Sequence, residues 1–194
     1  MVAYDEATAL IVVDMQNDFA DPSGSLYVEE GEQVVDRVNT EIDRAIEGGA
    51  FVVYTQDWHP ESTPHFAKDG GIWPVHCVGE TWGAEFHPRL EVLGPSVRKG
   101  SNGEDGYSGF TMRDPVTGAM TPTALRGMLE ERQVAKVVVV GLALDYCVKA
   151  TALDAMSGYD VTLLTGATAS VDLEPGDGAK ALDELRAAGV SVDG

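Results

Sequence analysis

Short apolar runs rich in β-branched residues recur along the chain, and between them apolar positions fall three and four residues apart. The runs are ALIVVDM (Ala9 to Met15), AFVVYT (Ala50 to Thr55), the weaker SVRKG (Ser96 to Gly100), AKVVVVG (Ala135 to Gly141) and DVTLLTG (Asp160 to Gly166). Continuous apolar runs of this length suit strands buried on both faces, as in parallel sheets. A last short strand is expected near Val190 to Val192. Glu32 to Glu47 carries Val34, Val35, Val38, Ile42, Ala45 and Ile46 at helical spacing and stops at Gly48 and Gly49, as a helix C-terminus does. Thr123 to Arg132, Cys147 to Ser157 and Asp177 to Ala188 read as further helices, the last two closed by Gly158 and Gly189. Strands alternating with helices predict one α/β domain over residues 1–194, a three-layer α/β/α sandwich with a mainly parallel, Rossmann-like central sheet. Gln56 to Pro95 shows no period, and a segment that long without regular structure is usually functional.

Parallel strands deliver their C-terminal ends to one edge, where ligands of open α/β sheets bind. The first run ends in Asp14, the second leads through Gln56 into Asp57 and His59, the third ends in Lys99, and the valine run leads through GLALDY into Cys147. Each alone has a plain explanation as a turn, a cap or a core residue, but the topology brings all of them to one edge. Cys147 at a helix N-terminus near Lys99 would have its thiol pKa lowered. Asp14 would take the thiol proton and return it to a leaving group, with backbone N–H groups of Ala143 and Cys147 facing a developing oxyanion. The chemistry is acyl transfer through a thioester.

Three of the four histidines, His59, His65 and His76, lie between Asp57 and Cys77. Asp57 and His59, two apart on an extended strand end, point to one face. Asp with two or three His is a ligand set for zinc, iron or manganese with positions left open. His87, in EFHPRL, has no neighbouring ligand and is assigned to structure.

Charge and cysteine content narrow the function classes. Against 13 Lys and Arg stand 32 Asp and Glu, a formal charge of -19, which repels nucleic acid and anionic lipid alike. No apolar run approaches the ~20 residues that span a bilayer, and no signal peptide opens the chain. Two cysteines are too few for a disulfide framework. These features suit a cytoplasmic protein that binds neither nucleic acid nor membrane.

The stretches DMQNDF (Asp14 to Phe19), DWHP (Asp57 to Pro60), WPVHCV (Trp73 to Val78), GAEFHP (Gly83 to Pro88), RKG (Arg98 to Gly100), YSGF (Tyr107 to Phe110) and GLALDYCVKAT (Gly141 to Thr151) together resemble the nicotinamidases of the isochorismatase-like cysteine hydrolases. The resemblance implies hydrolysis of nicotinamide to nicotinate and ammonia, with activity on pyrazinamide, and a triad of Asp14, Lys99 and Cys147. It implies one divalent metal ion, zinc or iron ahead of manganese, on Asp57, His59 and His76, with His65 as an extra ligand. It also implies a ring wall of Phe19, Trp73, Tyr107 and Tyr146 and a cis peptide between Leu142 and Ala143. Family members occur as monomers and as homo-oligomers. Leu144 stands where the family usually has threonine. Two other readings are a carbamoyl or ureido amidase with the same triad, which generally lacks the histidine set, and a non-catalytic metal-binding module with an unreactive Cys147.

Overall fold

In the computed structural model, which describes residues 2–194, β1 (Thr8–Val13) is buried along its whole length and supplies both faces of the core. Leu10 and Val12 point into one cluster, while Ala9, Ile11 and Val13 point into the other, as the two-residue period of a strand requires. A strand with both faces apolar must be covered on both. On one side it is covered by α2 (Gly31–Glu47), which turns Val34, Val38 and Ile42 toward Leu10 and Val12. The other face of the sheet is covered by α3 (Leu125–Glu130), α4 (Lys149–Ala155) and α5 (Asp177–Ala187), which contribute Leu125, Leu129, Ala152 and Leu185 to the second cluster. Each fully buried Leu, Ile or Val contributes about 1.5–3 kcal/mol by leaving water, so this double burial fixes the three layers.

The remaining strands of the main sheet are β2 (Phe51–Asp57), β3 (Ser96–Lys99), β6 (Lys136–Leu142), β7 (Asp160–Ala169) and β8 (Ser191–Asp193). They lie in the order β3-β2-β1-β6-β7-β8, with every neighbouring pair parallel. The chain builds outward from β1 in one direction and from β6 in the other. The order therefore reverses between these two strands, and a crevice opens there at their C-terminal ends. Gly141, opposite Val13, has φ +109°, and a Cβ there would sit 2.2 Å from the Val13 carbonyl oxygen. Only glycine lets β1 and β6 close up just before their ends splay apart.

Two elements depart from the sequence reading. Thr111–Arg113 (β4) and Met120–Pro122 (β5) form an antiparallel hairpin outside the main sheet. Three-residue strands lying mostly at the surface leave no alternation to read. The helix expected to begin at Cys147 instead opens as a π turn over Leu144–Val148 and becomes α-helical only from Lys149. The segment 58–95 is irregular apart from two short 3-10 turns, Ala67–Asp69 and Trp82–Ala84. It is tied to the sheet by side chains of the short helix α1 (Asn17–Ala20) and its approach. The Asp18 carboxylate accepts the amides of Ser25 (3.0 Å) and Cys77 (2.7 Å). Gln16 makes a reciprocal pair with the Asp57 backbone, Nε2 to the carbonyl at 2.7 Å and the amide to Oε1 at 2.8 Å. No helix among the described residues is long and apolar enough to cross a membrane.

Candidate active site

Asp14 leaves β1 with φ +46°, which turns its side chain into the crevice. Its Oδ1 accepts a hydrogen bond from the Thr55 hydroxyl at 2.6 Å, and its Oδ2 lies 2.9 Å from the Lys99 ammonium. Lys99, at the end of β3, also binds Asp57 Oδ1 and approaches Cys147 Sγ at 3.5 Å. Asp14 is fully enclosed and Lys99 is 1% exposed, so one cation is held between two carboxylates away from water. Burial alone would neutralise a lysine, yet Asp14 and then Asp57 outweigh it and hold the ammonium well above its usual range.

The same burial acts on the other two groups. It raises the Asp14 carboxyl above the ordinary carboxylate range, against the pull of Lys99. It also pushes the Cys147 thiol well above its usual value, with Asp14 and Asp57 adding to the rise and Lys99 opposing it. This corrects the expectation of a thiolate stabilised at a helix start. Cys147 is 6% exposed, inside a π turn and beside two carboxylates, surroundings that favour the protonated sulfur. The arrangement suits proton transfer to Asp14 during attack, because a raised carboxyl is the stronger base.

Thr55 supplies the hydroxyl that lowers Asp14. Thr55→Val removes that donor without changing the shape, so the Asp14 pKa rises further and the acid limb of the kcat/KM profile moves to higher pH. A lost bond to a charged group predicts about a tenfold fall in rate at neutral pH, and a profile identical to the native one would contradict the role.

Beside the triad, Asp57 Oδ2 lies 3.6 Å from His59 Nε2 and 3.7 Å from His76 Nε2. Ring nitrogens of His59, His65 and His76 all lie within 4.8 Å of one another. His76 Nδ1 faces the Pro74 carbonyl and His65 Nδ1 faces Asp105, each at 2.8 Å, which leaves their Nε2 atoms for the cluster. His59 is 4% exposed, and neither of its nitrogens has a hydrogen-bond partner among the described residues. A buried polar group left unpaired costs about 1–3 kcal/mol, an arrangement expected of a ligand. Burial lowers the His59 pKa and keeps the ring neutral, the form that binds metal. Burial opposes the Asp57 carboxylate, but Lys99, His59 and His76 hold it well below its ordinary range. Three imidazoles and one carboxylate fit a divalent ion. Gly100 (φ +83°) keeps the space open, since a Cβ there would lie 2.7 Å from His59 Nδ1.

Cys147 of the triad and Asp57, His65 and His76 of the cluster line one cavity, with Ala143 also in its wall. All four expected ring-wall residues border it. Trp73 and Tyr107 each meet Tyr146 edge to face, with centroids 4.9 and 5.3 Å apart, and Trp73 Nε1 donates to the Tyr107 hydroxyl at 3.1 Å. The Leu142–Ala143 peptide is cis. Leu144 is buried in the apolar cluster behind the site, and His87 lies apart, accepting the Arg89 amide at 3.2 Å. Leu26 and Val171 complete the wall from segments that carry no motif. Thr55, two residues before Asp57 on the same strand, shares its face and was the one missed residue with a readable signal.

Four parallel strand ends around a thiol, a buried lysine and a histidine cluster define a hydrolase-type α/β site, and the chain belongs to the isochorismatase family, whose domain profile it matches over residues 8–192. Among its relatives, the nicotinamidase of Escherichia coli is 37% identical over 203 residues, covering 95% of this chain and 93% of that protein. The pyrazinamidase of Pyrococcus horikoshii, solved in complex with zinc, is 40% identical with a TM-score of 0.85, over 96% of this chain and 98% of that one. The L. infantum protein PnC1, solved in complex with nicotinate, is 37% identical with a TM-score of 0.87, over 98% and 94% of the two chains.

Proposed function

We infer that this chain is an amidase that hydrolyses nicotinamide to nicotinate and ammonia, and pyrazinamide in the same way, through a thioester on Cys147. The observation that carries the reading is that one aromatic-walled cavity is lined both by Cys147, which Lys99 approaches at 3.5 Å, and by Asp57, His65 and His76 of the metal-type cluster. The similarity to proteins that are nicotinamidases or bind nicotinate supports it.

The residues divide the reaction as follows. Cys147 Sγ attacks the carboxamide carbon while its proton passes to Asp14, and the Lys99 charge 3.5 Å from Sγ stabilises the sulfur as it becomes anionic. The carbonyl oxygen, turning anionic, faces the backbone N–H groups of Ala143 and Cys147. Asp14 returns the proton to the amine, the C–N bond breaks and ammonia leaves. Asp14 then takes a proton from a water molecule as the water oxygen bonds to the thioester carbon. The C–S bond breaks, the proton on Asp14 passes to sulfur, and nicotinic acid departs, its remaining proton going to ammonia or solvent to give nicotinate. Trp73, Tyr107 and Tyr146 hold a flat ring edge-on and keep bulk water away.

Asp57, His59, His65 and His76 would hold the divalent ion, zinc or iron ahead of manganese, and the ion supplies a Lewis acid for the ring nitrogen. The zinc in the P. horikoshii pyrazinamidase supports this choice. Stripping the protein with a chelator should lower ammonia release from nicotinamide by about 100-fold or more, since a Lewis acid contributes several kcal/mol, and adding back one of these ions should restore it. Full turnover by metal-free protein would overturn the role of the cluster.

A further inference from the structure

The β4–β5 hairpin lies outside the main sheet, and no step above uses it. Its Arg113 is joined to Asp105 by backbone hydrogen bonds in both directions, at 2.6 and 2.7 Å. The Arg113 guanidinium also donates to Asp105 Oδ2 at 2.9 Å. Asp105 Oδ1 accepts the Gly106 amide at 2.8 Å and faces His65 Nδ1 at the same distance. Both carboxylate oxygens are therefore committed, and the carboxylate plane is fixed.

An ionised carboxylate only accepts, so the proton of His65 is assigned to Nδ1 and the lone pair to Nε2, on the side of His59 and His76. The three histidines differ in this respect. His76 is oriented by a neutral carbonyl, and His59 has no hydrogen-bond partner among the described residues. His65 alone of the three is held at Nδ1 by a carboxylate, the arrangement that fixes the tautomer of a ligating imidazole and raises its basicity.

We propose that Asp105, braced by Arg113, is a positioning residue that presents His65 Nε2 to the metal site, and that the β4–β5 hairpin is thereby part of what sets metal affinity. This rests on the metal reading of the cluster and is independent of the substrate. Asp105 touches neither substrate nor reacting atoms.

Zinc affinity of the purified full chain, measured by competition with a chromophoric chelator and without substrate, tests it. Asp105→Ala should weaken zinc binding about 10–100-fold. Asp105→Asn keeps a carbonyl acceptor for His65 and should lose less. Arg113→Ala, at a side chain half exposed to solvent, should fall between native and Asp105→Ala and serves if the latter fails to fold. Adding Asp105→Ala to His65→Ala should weaken zinc no further than His65→Ala alone, because the two act through one ligand. Native affinity in Asp105→Ala, native affinity in His65→Ala, or additive losses in the double variant would each overturn the proposal. A chain that binds zinc as described but leaves nicotinamide intact would overturn the amidase reading and leave this assignment standing.

Discussion

Cys147→Ala lowers kcat/KM for nicotinamide by about 10⁵-fold or more, the scale on which removing a nucleophile removes the whole covalent route. The physical reason is specific to this geometry. Lys99 remains balanced by Asp14 and Asp57 whether or not the sulfur is present, so the variant loses its acceptor for the acyl group without leaving a charge unpaired. Its thermal midpoint should stay within a few degrees of the native value, and zinc binding should be unchanged, because the His59, His65 and His76 nitrogens do not depend on the thiol. A variant that unfolds would show that Cys147 serves packing in the apolar cluster it shares with Leu144 and Val148.

Lys99→Met acts on stability as well as on rate. The substitution keeps an apolar stem of similar length and leaves two carboxylates facing each other in a site where Asp14 is fully buried and Asp57 is 5% exposed. Removing one partner of a buried charge cluster costs about 3–5 kcal/mol. The pH dependence follows from the direction of the shifts. Without the ammonium Asp14, already raised by burial, rises further, and Asp57 loses one of the groups that hold it down, so the folded variant prefers Asp14 protonated. Its stability is therefore fully present at acid pH and is lost as pH rises through the raised Asp14 value. Denaturant unfolding should show the deficit largest near neutral pH and shrinking toward pH 4. A deficit below about 1 kcal/mol at neutral pH would mean that the lysine behaves as a solvated surface charge.

The sheet was legible because a parallel strand covered on both faces has to be apolar along its length, and ALIVVDM and AKVVVVG are. Their ends, and with them Asp14, Lys99 and Cys147, followed from the shared direction of the strands. The weaker SVRKG run was readable for the same reason, although only Val97 and Lys99 of that strand are buried. The hairpin was not legible, because β4 and β5 have three residues each and little buried surface. Asp105 was missed with it, since nothing in EDGYSGF marks a carboxylate that reaches a histidine 40 residues earlier. The direction of the Cys147 shift is hidden from the sequence for another reason. Proximity to Lys99 and to a helix is visible in the chain, whereas the depth of burial and the second carboxylate, Asp57, enter only through the fold.

Whether Cys147 carries the acyl group of nicotinamide in this cavity is decided by counting ammonia and nicotinate released from nicotinamide together, for the metal-replete native protein and for Cys147→Ala. One ammonia per nicotinate is expected from the native chain and none above background from the variant. No release from the native chain, or equal release from both, would contradict that role.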